Sequence, residues 1–384
     1  MLYHYFSLDD YFKKTRNYFT FIDGVFNLTS SKKKDVFDIL LIPDSTYRTN
    51  RRKEKAKYKW SFLRILEYFG YKDVNPNDQR KYELLLAKIY HNAYYRDMDA
   101  LEVLSKELDE VIDENNFLKP VFVLFRILLK IIMINQYSKQ VDASKDDLEY
   151  VGYFKKEYFT EELSFMFYIF NYYFGKSVSN IELENYAVKY PQLLWLYYML
   201  RGSYNYLNKK DNEALAYYEL LMDILWKDFN IERFSIFTSN LAFIYNHQGK
   251  YSLSLEKSMK LVPYSIAADN ISENNKYSVK HFIFSSYMLN KFNDIMELFE
   301  VIDDISFLGD IYIAVLMIVN KINHSIYDRR IKDRIKQTKN LQDIDEMLIS
   351  HRLDVEKLSE MYKKLSYWPK IVEKMQVDVL KIKK

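Results

Sequence analysis

Three polar breaks recur about forty residues apart in the second half of the chain, at residues 208–212, 246–250 and 290–293. Each break separates an aromatic segment with helical periodicity from a second amphipathic segment. A period of roughly 20–50 residues is typical of stacked helical or β units, in which each unit buries its apolar face only against its neighbours. The repeat therefore predicts an array of helical hairpins.

The composition favours helices throughout the chain. Its 384 residues include only seven Gly and six Pro, the residues that tight turns and β-hairpins use most. Apolar residues make up 49% and charged residues 28%, which is ordinary for a chain that buries a core. We expect an all-α protein with few loops.

The unit around the middle break, residues 246–250, matches the pattern of a tetratricopeptide repeat. A small residue, a Tyr, a turn Gly and an aromatic beside the turn stand at Ala242, Tyr245, Gly249 and Tyr251. Small residues allow two antiparallel helices to approach closely, and aromatic rings fill the gap to the next hairpin. The sequence predicts a tetratricopeptide-like α-solenoid at residues 77–384, which follows a small N-terminal domain at residues 1–70.

Several classes of protein are disfavoured. The chain has no Cys, which excludes disulfides and thiolate metal sites and fits a reducing cytoplasm. The most apolar stretch, residues 120–134, contains Arg126 and Lys130 and is shorter than the ~20 residues of a membrane span. We expect a cytoplasmic protein that has no membrane contact and needs no cofactor.

Charge is concentrated near the N-terminus. Residues 31–64 contain eleven Lys or Arg and four Asp or Glu, a balance of +7, whereas the whole chain carries +3. The rest of the chain therefore sums to −4. A compact basic segment joined to a slightly acidic body indicates that this segment meets a polyanion.

The basic segment has the outline of a helix-turn-helix. It predicts one helix at about residues 31–41, a break at Ile42-Pro43, a second helix from Asp44 or Ser45, and a third at residues 56–68. Short polar groups and Arg at the start of the second helix suit the reading of base edges. The predicted DNA contacts are Ser45, Thr46, Tyr47, Arg48, Asn50, Arg51, Arg52 and Lys55. The triplet at residues 32–34 would add phosphate contacts. The alternative is a solvated charged helix that only caps the array.

A helix-turn-helix joined to a degenerate tetratricopeptide array resembles the peptide-sensing cytoplasmic regulators of Gram-positive bacteria and their phages. The local likeness is to the arbitrium receptors of temperate phages, in RFSIFT at residues 233–238 and YSLSLE at residues 251–256. The resemblance implies a dimeric regulator of double-stranded DNA. It also implies that the array binds a short signalling peptide, which changes the affinity for an operator.

An extended peptide on the concave face of such an array needs hydrogen-bonding side chains for its backbone amides. Asn can both donate to and accept from a peptide unit, and Arg can pair with a carboxylate. The predicted peptide contacts are Asn205, Arg233, Ser239, Asn240, Asn246 and His281. Arg233 is the predicted partner of the peptide carboxylate, and Asn246 is the predicted backbone clamp.

Two other functions remain open from the sequence. The chain could be an interaction scaffold without DNA binding, in which the N-terminal segment only caps the array. An enzyme is the least supported function, because the six His are scattered and no H-E-x-x-H or glycine-rich phosphate loop occurs. The segment at residues 354–384 suits either a final array helix or a dimerisation element.

Overall fold

A computed structural model of the chain describes residues 4–13, 15–53, 59–133, 141–154, 156–262, 273–323, 326–350, 352, 354–361 and 369–382, with the backbone alone at some helix positions. The described residues form α-helices and three short 3-10 helices, and they contain no β-strand. The predicted all-α class is confirmed. The chain divides into two compact units, Met1–Asn230 and Ile231–Lys384.

The first unit contains thirteen described α-helices. In chain order these are α1 Asp9–Lys13, α2 Thr15–Thr29, α3 Lys33–Ile39, α4 Asp44–Lys53, α5 Lys59–Tyr68, α6 Gln79–Tyr95, α7 Met98–Asp113, α8 Lys119–Met133, α9 Val141–Gly152, α10 Glu161–Tyr173, α11 Asn180–Lys189, α12 Leu194–Leu207 and α13 Asp211–Lys227. Helices α3, α4 and α5 occur where the sequence predicts them. They share a compact unit with α6–α13, and the predicted boundary near residue 70 stays a prediction.

The second unit contains nine described α-helices. These are α14 Ile231–His247, α15 Tyr251–Met259, α16 Glu273–Met288, α17 Phe292–Val301, α18 Asp310–Ile322, α19 Arg329–Gln337, α20 Lys339–Ile349, α21 Val355–Met361 and α22 Pro369–Ile382. Helix α18 is buried along most of its length and packs against α16, α17, α19, α20 and α22. An apolar helix without a polar face belongs at the centre of a core, and α18 takes that place here.

Aromatic rings join the N-terminal helices to the rest of the first unit. On α2, Phe21 stacks on Phe154 at 5.3 Å between ring centroids, and Tyr18 stacks on Phe117 at 4.6 Å. Gly24 allows this approach, because a Cβ there would lie 2.3 Å from the Phe154 ring. Burial of such rings is the largest apolar contribution that single side chains make to a core. The abundance of Phe and Tyr thus serves helix packing in this unit.

The predicted repeat is visible in the turns. Each of the three breaks contains one residue in the left-handed conformation, with φ of 59°, 75° and 59°. These residues are Lys209, Gly249 and Asn290. In each turn the N–H of the next residue, a lysine, donates to the carbonyl five residues earlier at 2.8–2.9 Å. This bond closes the end of the first helix and lets the second helix start at once. The turns are 40 and 41 residues apart along the chain, as the sequence predicts.

Residues 120–133 of the apolar stretch lie in α8, which has ten buried side chains. It packs against α7 and α9 in the first unit, as a core helix does. Among the described helices, none has the combination of length and apolar character that crossing a membrane requires.

The close contact between α12 and α13 depends on Gly202. A Cβ at this position would lie 2.4 Å from the ring of Tyr218, which is buried. We expect Gly202→Ala to lower the free energy of unfolding by about 1–3 kcal/mol, because the Tyr218 ring must move in a packed core. Gly152→Ala is the control, since its Cβ would meet no atom within 4 Å. Chemical denaturation of both variants checks this. Equal stabilities would contradict the close packing.

Candidate functional site

The predicted recognition helix, α4, follows a tight turn after α3. Leu41 in this turn has φ of 55°, and the N–H of Ile42 donates to the carbonyl of Phe37 at 2.9 Å. Pro43 then precedes the first residue of α4, where its fixed φ suits a helix start. The turn places two helices in succession with only residues 40–43 between them.

Tyr47 holds α4 against the core of the first unit. Its ring is buried, 4.8 Å from the ring of Phe37 and 5.4 Å from that of Phe19. Its hydroxyl donates to the buried carboxylate of Asp23 at 3.5 Å. Lys33 donates to the same carboxylate, and its Nζ lies 5.8 Å from the centroid of the Tyr47 ring. Tyr47 and Lys33 therefore serve the packing of α4, although the sequence predicts both as DNA contacts.

The opposite face of α4 is open to solvent. Ser45, Arg48 and Thr49 are exposed, and Thr46 is half-buried. Arg48 pairs with Asp44 at 2.8 Å, an exposed i,i+4 contact that water and salt weaken. For Asn50, Arg51 and Arg52 the structure describes only the backbone, and Lys55 lies outside the described residues. The described part of the predicted interface is thus a short polar face with one arginine.

In the second unit, α14, α15 and α16 share a set of buried polar side chains that we name the polar seam. It consists of Ser239, Asn246, Ser254, Ser278, His281 and Ser285. The hydroxyls of Ser239 and Ser278 lie 2.6 Å apart. Ser285 Oγ lies 2.9 Å from Asn246 Oδ1 and 2.8 Å from Ser254 Oγ. The pairs Ser239–Ser278 and Asn246–Ser285 both join positions 39 residues apart, so equivalent positions of successive hairpins face each other.

Two polar atoms in the seam have no hydrogen-bond partner among the described residues, Asn246 Nδ2 and His281 Nδ1. Burial, together with the nearby Lys280, lowers the pKa of His281 to about 4, so its imidazole is neutral at neutral pH. Its ring lies 5.9 Å from that of Phe243, one turn before Asn246 on α14. A buried polar atom without a partner is costly, which makes these two atoms candidate ligand contacts.

Comparison of the chain with protein-family models, with curated proteins and with solved structures finds no match. Among the described residues, no three His, Asp or Glu side chains come together as ligands for a metal ion.

The predicted peptide contacts lie in both units. Asn205 is buried in α12 of the first unit, whereas the other five belong to the second. Arg233, Ser239, Asn246 and His281 are buried, and Asn240 is half-buried. The structure brings Ser239, Asn246 and His281 together in the polar seam. Ser239 and Asn246 link helices to each other through hydrogen bonds, whereas the sequence predicts that all three side chains line an open concave face.

Sequence reasoning missed Ser254 and Ser278 as partners in the seam. A signal for Ser278 is present, because Ser239 and Asn246 on α14 are seven residues apart, as are Ser278 and Ser285 on α16. Seven residues are close to two helical turns, so each pair lies on one face. Small polar residues repeated at this spacing in successive hairpins therefore indicate an inter-helix contact.

Stability should depend on pH through His281. In the unfolded chain a histidine binds a proton below about pH 6.5, whereas the folded pKa is about 4. Between these values the unfolded state binds more protons, so stability falls as the pH falls. Between about pH 7 and pH 4.5 we expect wild type to lose roughly 2–3 kcal/mol more than His281→Gln in denaturant titrations.

The matched control is His247→Gln, because His247 is exposed near the end of α14. This variant should keep the pH profile of the wild type. Parallel profiles for wild type and His281→Gln would show that His281 titrates normally and is open to water.

Proposed function

We propose that this chain is a cytoplasmic transcriptional regulator that binds duplex DNA through α4. The observation that carries the proposal is the two-sided character of this helix. Tyr47 anchors one side in the core, while Ser45, Arg48 and Thr49 are exposed on the other. In helix-turn-helix proteins the start of the second helix contacts base edges in the major groove. Short hydroxyl side chains and an arginine are the groups that such contacts use.

The surroundings of α4 supply charge for the phosphate backbone. Lys32 and Lys34 are exposed beside the start of α3, although Lys33 is paired with Asp23. Helical spacing places position 52 on the same side of α4 as Ser45 and Arg48. Residues 31–64 carry a balance of +7, which favours a partner with dense negative charge.

In this proposal the regulator is a homodimer that responds to a short signalling peptide. The two recognition helices of a dimer must fit DNA half-sites that are about 34 Å apart. A small change in the distance between the helices therefore abolishes simultaneous binding. A peptide that prefers one arrangement of the array would shift the population of dimers towards or away from that separation.

The polar seam is the proposed place where a peptide acts on the array. A peptide amide could satisfy Asn246 Nδ2 and His281 Nδ1, which have no partner among the described residues. To reach them it would compete with the contacts Ser239–Ser278 and Asn246–Ser285. Peptide binding would therefore change the spacing of α14 and α16.

The first test is the salt dependence of binding to duplex DNA. We expect the variant Arg48→Ala, Arg51→Ala, Arg52→Ala to bind more weakly than wild type. The slope of log K against log salt should also fall by up to about 3, close to one for each arginine that binds a phosphate in the wild type. Fluorescence anisotropy with DNA flanking the gene and with random genomic duplexes measures both quantities.

The control carries the same change of charge far along the chain, in Arg329→Ala, Lys332→Ala, Lys336→Ala. These residues are exposed on α19 of the second unit. This variant should bind DNA as wild type does. Equal weakening in the two variants would indicate non-specific attraction, and no binding by wild type would leave the helical scaffold as the better function.

A further inference from the structure

A groove of about 560 Å³ lies in the second unit beside the last described helix, α22. Lys370, Lys374, Val377 and Lys381 of α22 line one wall. Tyr251, Met288 and Asn290, which lie at or next to the hairpin turns, line the other. A Cβ at Gly249 would lie 3.4 Å from Lys370 Nζ and 4.0 Å from the Tyr251 hydroxyl, so this turn reaches the lysine as well. The groove is shallow and open to solvent, so a ligand bound there would keep part of its surface in water.

Three lysines of α22 lie on the same side of the helix. Lys370, Lys374 and Lys381 are four and seven residues apart, which places them within about 40° around the helix axis. Between them, Asp378 is fully buried and accepts from Lys374 and from Lys381, each at 2.9 Å. One carboxylate thus holds two ammonium groups at the wall of the groove and neutralises only one charge.

Positive charge therefore remains in the groove. Its three lysines face two acids, Glu373 and Asp378, which leaves a balance of +1. Lys370 has no ion pair among the described residues, and Lys374 is only 14% exposed. The Nζ of Lys374 also lies 4.9 Å from the centroid of the Tyr287 ring, so aromatic surface replaces part of its water. Lys374 is thus held in the wall by Asp378, Asn290 and this ring, whereas the more exposed ammonium groups of Lys370 and Lys381 remain available to an anion.

The groove also has an apolar side. Met288 lines it at the end of α16, and Val377 is 53% exposed on α22 between the lysines. A ligand that fills the groove therefore needs an apolar group next to its negative charge. We propose that this groove binds a carboxylate carried on a short apolar chain, with Lys370 and Lys381 as its charged contacts.

This ligand chemistry has two sources, the C-terminal residue of a peptide and a free aliphatic acid. Isothermal titration calorimetry with the full-length chain distinguishes the two sources. The three probes are N-acetyl-Ala-Val-Leu with a free carboxylate, the same tripeptide as its C-terminal amide, and hexanoate. We expect the free carboxylate to bind at least about tenfold more tightly than the amide, since an ammonium contact to a carboxylate is charge-assisted. Hexanoate binding as tightly as the tripeptide would identify an aliphatic acid as the source. Equal binding of acid and amide, or binding of neither acid, would overturn the proposal.

The variant Lys370→Gln, Lys381→Gln should weaken binding of the free carboxylate by about tenfold or more. Its matched control is Lys332→Gln, Lys339→Gln, two exposed lysines of the same unit outside the groove. Wild-type affinity in the groove variant would overturn the site. If the double variant does not fold, Lys370→Gln alone tests the carboxylate contact. Lys370 is exposed and has no ion pair among the described residues, so this substitution should leave the fold intact.

The groove contains none of the residues of α4 or of the polar seam, so carboxylate binding and DNA binding are measured independently. Carboxylate binding without DNA binding would support the groove and count against the regulator. DNA binding without carboxylate binding would support the regulator and count against the groove.

Discussion

The reversal of the chain at each long helix end is the constraint on which the hairpins depend. A helix leaves its last carbonyls without partners, and a left-handed residue lets the next N–H return to one of them. Lys209 and Asn290 take this conformation although it costs a residue with a side chain about 1 kcal/mol. Helix packing on both sides offsets that cost. Because each turn closes in the same way, equivalent positions of successive hairpins face each other, as Ser239 and Ser278 do.

Buried carboxylates orient the basic side chains of both units. Asp23 accepts from Lys33 and Tyr47, and Asp378 accepts from Lys374 and Lys381. A buried charge must be paired and hydrogen-bonded. Each carboxylate therefore determines which lysines are held inside the fold and which can contact a ligand or DNA. Lys33, half-buried next to α4, is held by Asp23. Asp378 carries one negative charge and pairs with two lysines, so positive charge remains at the groove.

The proposed DNA contact and the proposed carboxylate contact differ in physical character. The exposed face of α4 suits a long polyanion, whose binding depends strongly on salt because counterions are released. The groove beside α22 is shallow and mixes ammonium groups with apolar side chains, which suits one charge on a small molecule. The polar seam is buried, and its serine hydroxyls and the Asn246 carbonyl already hydrogen-bond to each other across helices.

Local apolar spacing and polar breaks were enough to predict helices α3 to α5 and the forty-residue period of the hairpins. Which side of a helix is covered depends on tertiary contacts. Tyr47 falls within a basic, polar run and is nevertheless buried, since the neighbouring rings of Phe19 and Phe37 lie on that side. Ser239 and Asn246 are predicted from the sequence to line the concave face of the array, but they lie between helices. Small polar side chains satisfy either position, and the choice depends on which helix packs against them, a long-range contact that local spacing does not contain.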